Sequence, residues 1–84
     1  MIFINIDTVN TAADVARVCE KYKGTMFVDI VHGRYTVDGC SVLGVASLSG
    51  NIVKVEPSID DPAIINTFIN DIKSIGGWVT KETN

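Results

Sequence analysis

The chain has 84 residues, a net charge of −3 and a pI of about 4.8, which predicts one small acidic domain. Apolar residues make up 46% and charged residues 20%, a composition typical of globular proteins rather than disordered ones. No Lys- or Arg-rich run is present, which argues against nucleic-acid binding, and no apolar stretch approaches the roughly 20 residues of a membrane span. We expect a cytoplasmic protein, because the N-terminal segment also lacks the basic region of a signal peptide.

The first residues predict a strand followed by an amphipathic helix. Ile2–Ile6 is rich in β-branched residues and predicts the first strand. Apolar residues then recur at helical spacing over Thr11–Lys23. Thr11 and Asp14 have the spacing of a capping box, and Asn10 is the rival N-cap.

A hairpin follows the first helix. Thr25–Val31 alternates and is β-branched, and Arg34–Asp38 is predicted to be the returning strand. His32-Gly33 is the predicted two-residue connection, because it resembles Asn-Gly. Within Thr25–Val31, one row of side chains is expected to face the helices, namely Met26, Val28 and Ile30. Phe27 and Val31 would then lie on the open face of the sheet.

The second half predicts a short helix, a strand and a long helix. Ser41–Leu48 carries no charge and is predicted to be a short helix, and Ile52–Glu56 is the next strand. Asp60-Asp61-Pro62 is typical of a helix start, with an Asp cap and Pro in the first turn. Gly76-Gly77 ends this helix, and 77–84 forms a partly extended tail. The expected buried stripe of the long helix comprises Ile65, Phe68, Ile69 and Ile72.

The resulting element order is β-α-β-β-α-β-α, which predicts an α+β single domain over residues 1–84. We expect a four-stranded, mainly antiparallel sheet with the helices on one face and water on the other. A ferredoxin-like regulatory domain shares the β-α-β-β-α-β order and is the structural alternative. Its second helix would normally be longer than Ser41–Leu48.

The sequence carries few groups for catalysis or metal binding. Cys19 and Cys40 lie far apart and form no CxxC pair, so we expect two buried structural thiols. With one histidine, His32, a metal site is not predicted. Because no nucleophile elbow or Gly-rich phosphate loop is present either, we predict no catalytic residue and no cofactor.

The short helix has more apolar residues than its packing requires. Ser41 is the predicted N-cap, with its side-chain oxygen accepting a backbone N–H. Val45 and Leu48 already provide the one stripe that packs on the sheet. The surplus residues, which would either fill the core or form a docking surface, are Val42, Leu43 and Ala46.

The segment Gly33–Leu48, GRYTVDGCSVLGVASL, resembles the HPr family, the small phosphocarriers of the bacterial sugar phosphotransferase system, PTS. HPr proteins carry a comparable Gly, a basic residue, a strand, and then Ser-aliphatic-Met/Leu-Gly-Val/Leu-x-Ser-Leu. The predicted helices fall in corresponding places, so the resemblance covers about residues 1–76. It implies an HPr-like open-faced β-sandwich.

The chain departs from this family at the phosphorylation site. HPr phosphocarriers have an active-site His just before the first helix, closely followed by an Arg. Here Thr8 falls at the His position and Asn10 at the Arg position. Imidazole suits reversible phosphoryl transfer near neutral pH, whereas a Thr hydroxyl needs an activating base. We therefore expect a divergent HPr-like protein that lacks the active-site histidine and is not an enzyme.

The resemblance also implies roles for the short helix. In some HPr proteins a kinase phosphorylates the serine that corresponds to Ser41, although those proteins usually have Lys where this chain has Cys40. The equivalent apolar patch docks partners, which makes Val42, Leu43 and Ala46 docking candidates. We expect a monomer that binds PTS or regulatory proteins, with exposed Phe27 leaving weak dimerisation open. The alternatives are a working carrier that uses Thr8 or His32 as acceptor, and a ferredoxin-like ligand-binding domain.

Overall fold

The computed structural model describes residues 1–80, which form three helices and five strands. In chain order the elements are β1 (Ile2–Ile6), α1 (Val9–Lys21), β2 (Val28–His32), β3 (Tyr35–Asp38), α2 (Val42–Ala46), β4 (Asn51–Pro57), α3 (Pro62–Ser74) and β5 (Trp78–Val79). The predicted α+β class and the order of the first seven elements are confirmed.

The sheet has five strands rather than the four predicted, in the order β3-β2-β4-β1-β5, and every neighbouring pair is antiparallel. The additional strand is Trp78–Val79, where we expected a tail, and it pairs with the free edge of β1. Gly76 turns the chain there with φ +106. Two residues are too few to show alternation, so this strand could not be recognised by pattern. The part of the predicted tail from 81 to 84 lies outside the described residues.

The core lies between one face of the sheet and the three helices. Ile4 from β1, Ile30 from β2 and Val53 from β4 are at most 1% exposed. They belong to the row that alternates with outward-facing residues along each strand. The predicted helix-facing row of Met26, Val28 and Ile30 is buried throughout, as expected. Among residues 1–80, no helix covers the opposite face of the sheet, which we call the open face.

Helix α1 begins two residues earlier than predicted. Its N-cap is Thr8, whose extended backbone has φ −143 and ψ 169, and whose side chain accepts the N–H of Thr11 at 3.4 Å. Thr11 itself donates its hydroxyl to Asp7 Oδ1 at 2.9 Å. The predicted caps at Thr11 and Asn10 are therefore wrong, because the hydroxyl that accepts a free N–H of the first turn belongs to Thr8. Asp14 instead pairs with the Arg17 guanidinium at 2.7 Å.

The hairpin turn is shifted by one residue from the prediction. His32 is the last residue of β2 and stands opposite Tyr35, so Gly33 and Arg34 form the turn. Gly33 has φ +59, a conformation that glycine adopts without steric cost. Helix α2 is also shorter than predicted, with five residues. A short second helix agrees with the HPr-like prediction and not with the ferredoxin-like alternative.

Helix α3 begins as predicted and is tied to α1. Asp61 is its N-cap and accepts the N–H of Ala63 at 3.0 Å. Phe68 and Ile72 are fully buried, whereas Ile65 and Ile69 of the predicted stripe are only partly buried. Tyr22 packs edge-on against Phe68, with ring centroids 5.2 Å apart.

Candidate functional site

The side chain of Ser41 caps the start of α2. Ser41 has extended backbone, with φ −91 and ψ 106, and its Oγ accepts the N–H of Gly44 at 3.1 Å. The N–H of Val45 bonds to the Ser41 carbonyl at 2.9 Å. The predicted capping role of Ser41 is confirmed.

The apolar side chains of α2 and of the turn that follows it divide into a buried set and an exposed set. Val45 and Leu48 are 0% and 5% exposed, as the single packing stripe requires. Leu43 is 85% exposed and Val42 is 40% exposed, so neither fills the core. Ala46 is partly buried and packs against the core. We call Val42 and Leu43 the α2 face; of the three predicted docking residues, Ala46 has the smallest share of surface to offer.

A cleft of about 360 Å³ adjoins Ser41 and contains charged groups of both signs. Asp38, Glu20 and Lys23 line it, and the Lys23 ammonium is 3.4 Å from Glu20 Oε1. Asp38 Oδ1 also accepts the N–H of Cys40 at 2.9 Å. Ser41 therefore shares this cleft with two acidic residues and one lysine.

Both cysteines are free thiols, but their environments differ. Burial raises the pKa of Cys19 to about 12, and the charges of Cys40 and Asp38 add to the shift. Cys40 is only half-buried, so the expectation that both thiols are buried is wrong for it. Desolvation, followed by the charges of Asp38 and Glu20, raises the pKa of Cys40 as well. Neither thiol is thus activated as a nucleophile near neutral pH.

The segment before α1 is polar and exposed. Thr8 and Asn10 are both exposed, and the described hydrogen bond of the Thr8 hydroxyl is the one from the Thr11 N–H. Histidine is absent from this segment: His32 ends β2, which β4 separates from β1. The structure therefore gives Thr8 a helix-capping role.

Three carboxylates form a row across the open face, which the sequence analysis missed. Asp29 on β2 stands directly opposite Asp38 on β3 and opposite Glu56 on β4. All three residues are exposed, and we call them the acidic row. The sequence does place an acid at one outward position of each of these three strands, but which acids become neighbours depends on strand register. Among residues 1–80, the cation paired with this row is Lys54, 2.9 Å from Glu56 Oε2.

No helix within the described residues is both long and apolar enough to cross a membrane.

The fold is similar to that of HPr-C-His from Thermoanaerobacter tengcongensis, known from its crystal structure. The two chains share 21% sequence identity and superpose with a TM-score of 0.62, over 89% of this chain and 93% of the other. Neither protein-family models nor curated proteins match the sequence. The structural similarity establishes an HPr-like fold, as the motif over Gly33–Leu48 predicted.

Proposed function

We propose that this chain is a cytoplasmic, HPr-like protein-binding module that has no histidine phosphotransfer and acts through the α2 face. The observation that carries the proposal is the 85% exposure of Leu43 on a helix without charged residues. When a partner covers a leucine exposed to this degree, burial of its apolar surface favours binding. Val42, 40% exposed, extends the same surface.

The α2 face suits docking because its backbone is held rigidly. The Ser41 cap fixes the start of the helix, Val45 on its inner side is buried, and buried Leu48 anchors the turn after it. A preorganised apolar surface loses little conformational entropy when it binds. Such a surface fits a partner protein with a complementary apolar pocket, and the HPr-like fold favours PTS or regulatory proteins as candidates. The protein itself is proposed to be a monomer.

The loss of phosphotransfer rests on the segment before α1. Thr8 and Asn10 stand where the family resemblance places a His and an Arg. A threonine hydroxyl that caps a helix is a poor phosphate acceptor without a neighbouring base. The proposal therefore assigns Thr8 to capping and leaves the chain without a phosphorylated intermediate.

Phosphotransfer is tested by incubating the full chain with phosphoenolpyruvate and the general PTS phosphotransferase. Intact mass should remain unchanged, while a histidine-containing HPr in the same mixture gains one phosphate. A gain of one phosphate would overturn the proposal and support the alternative of a working carrier; the phosphate would be acid-labile on His32 and acid-stable on Thr8. Thr8→Val and His32→Gln variants would then identify the acceptor, because only one of them would abolish the gain.

Docking is tested by titrating the isotope-labelled chain with the unlabelled general PTS phosphotransferase. Amide shifts should cluster on α2, and Leu43→Ser should weaken binding at least tenfold. The matched control is Ile52→Ser on β4, because Ile52 is also an exposed aliphatic residue, at 55%. Equal weakening by both variants would contradict the α2 face, and the absence of binding would remove this PTS protein as the partner.

Regulation at Ser41 is a separate prediction that follows from the family resemblance. HPr kinase should phosphorylate the wild-type chain and not Ser41→Ala if Ser41 is a regulatory site. Asp38 and Glu20 line the adjoining cleft, and nearby carboxylates disfavour a phosphate. We therefore expect neither the wild type nor Ser41→Ala to be modified. Modification of the wild type alone would show that Ser41 has a regulatory role in addition to capping.

A further inference from the structure

An open groove of about 870 Å³ lies where β4 ends and the chain passes to α3. Its volume is within the range of roughly 300–1,000 Å³ that is typical of ligand sites. The aliphatic residues that line it include Ile2, Pro57, Ile59, Ile65, Ile69 and Val79. None of these belongs to the α2 face, so the groove is a second surface, independent of the proposed docking helix.

The lining of the groove includes part of the acidic row. Asp29 and Glu56 both line it, and Asp60 lies on the loop beside them. Asp38 continues the row on the next strand, opposite Asp29. Lys54 offsets one of these four carboxylates through its ion pair with Glu56. The remaining negative charge is complementary to a cationic ligand.

The dimensions favour a polypeptide over a single small cation. Three carboxylates on three adjacent strands span about 10 Å, because neighbouring strands lie roughly 4.8 Å apart. One ammonium group cannot meet all of them. The groove is also open to solvent, with Val79 40% exposed, whereas small-molecule sites bury most of their ligand.

We propose that this groove binds a segment of a partner protein in which aliphatic side chains adjoin arginine or lysine. The aliphatic side chains occupy the space between Ile59, Ile69 and Val79. The cationic side chains lie across the acidic row. Arginine suits the row especially well, because its guanidinium donates two parallel hydrogen bonds to a carboxylate.

The test uses the full isotope-labelled chain and three blocked tetrapeptides. The first is Leu-Leu-Arg-Arg, the second replaces both arginines by citrulline, and the third replaces both leucines by serine. Citrulline is close to arginine in shape but is uncharged, because a carbonyl oxygen replaces one NH2 group of the guanidinium. We expect the first peptide to shift the amides of Asp29, Glu56, Ile59 and Ile69, and the other two to bind at least fivefold more weakly.

Two protein variants locate the binding site. Asp29→Asn removes one charge of the row and should weaken binding of the first peptide at least threefold. Asp14→Asn removes an acid from α1 that does not line the groove and should leave the affinity unchanged. Circular dichroism of both variants verifies that each remains folded.

Several results would overturn the proposal. Equal binding of the arginine and citrulline peptides would exclude the acidic row, and equal binding of the leucine and serine peptides would exclude the groove. Shifts confined to Val42 and Leu43 would assign the peptide to the α2 face. Groove shifts that depend on protein concentration without peptide, together with a dimer in sedimentation equilibrium, would show that a second copy of this chain is the occupant. Absence of any shift at millimolar peptide would also refute the proposal.

Discussion

Two hydroxyl side chains, Thr8 and Ser41, occupy the positions where the family resemblance places chemistry, and each caps a helix. Thr8 accepts the N–H of Thr11, and Ser41 accepts that of Gly44 at a shorter distance, 3.1 Å against 3.4 Å. A cap satisfies a backbone donor that the helix itself leaves free. Helix capping is therefore a sufficient physical reason for a hydroxyl residue at each of these two positions.

Replacing Ser41 with Ala should lower the free energy of unfolding by about 1 kcal/mol, because the Gly44 N–H loses its acceptor. Urea denaturation followed by circular dichroism measures the change. Ser41→Asn is the matched control, since Asn caps helices equally well and should keep most of the stability. Equal losses in both variants would show that the hydroxyl matters for another reason.

Tyr22 links α1 to α3 through its hydroxyl, which donates to Asp71 Oδ2 at 2.6 Å. Burial and this hydrogen bond raise the pKa of Tyr22 to about 12. The same bond, followed by the bond from Lys21, lowers the pKa of Asp71. Tyr22→Phe keeps the ring against Phe68 and should cost about 1.5 kcal/mol at neutral pH, as expected for a hydrogen bond to a charged group.

The Tyr22–Asp71 bond also predicts a pH dependence. The folded-state pKa of Asp71 is lowered. Its contribution to stability is therefore fully present above its unfolded-state pKa and is lost as the pH falls through its folded-state pKa. The folded-state pKa of Tyr22 is raised, so its contribution to stability is present below pH 10 and is lost as the pH rises through about 12. Denaturation curves of wild type and Tyr22→Phe should therefore converge at both extremes. A constant difference would contradict the ionic character of the bond.

At the scale of elements, the acidic row is a local conflict within the sheet. Like charges directly opposite on neighbouring strands are destabilising, and Asp29 has one on each side. Asp is also disfavoured within strands. The two carboxylates opposite Asp29 thus destabilise the free chain, but they favour binding of a cationic segment.

Asp29→Asn should stabilise the free chain by about 0.5 kcal/mol, because it removes both cross-strand repulsions. The urea midpoint at low salt measures this gain. In 1 M NaCl the gain should shrink, since salt screens exposed charges. A loss of stability, or a gain that salt does not alter, would refute the electrostatic explanation.

At the scale of the whole molecule, the C-terminal end of the described chain completes the sheet at its N-terminal strand. Trp78 on β5 stacks on Phe3 of β1, with ring centroids 6.1 Å apart, and Thr80 donates its N–H to the Met1 carbonyl at 2.9 Å. Strand β1 therefore has a partner on both sides, β4 and β5. This pairing couples the last described residues to the core.

Unfolding should be cooperative up to Trp78. Because Trp78 is the single tryptophan, its fluorescence reports on β5, while far-ultraviolet circular dichroism reports on all elements. The two signals should change at the same urea concentration, as expected for a small two-state domain. A fluorescence change at lower urea would show that β5 separates before the rest of the sheet unfolds.

The accuracy of prediction differed between local and long-range features. The start of α3 at Asp61 and Pro62 and the cap at Ser41 were predictable, because the groups that decide them lie within four residues of each other. The start of α1 was not, because Thr11 and Asp14 fit a capping box as well as Thr8 fits an N-cap. In the fold, Thr11 is instead bonded to Asp7.

The sequence by itself determined the α+β class, the buried rows and the uncharged helix that carries Leu43. These depend on periodicity and on hydrogen bonds between near neighbours. Only the tertiary structure decided the fifth strand, the acidic row and the groove beside it. Asp29, Asp38 and Glu56 are brought together by strand register, and register is set by packing between segments far apart in the chain.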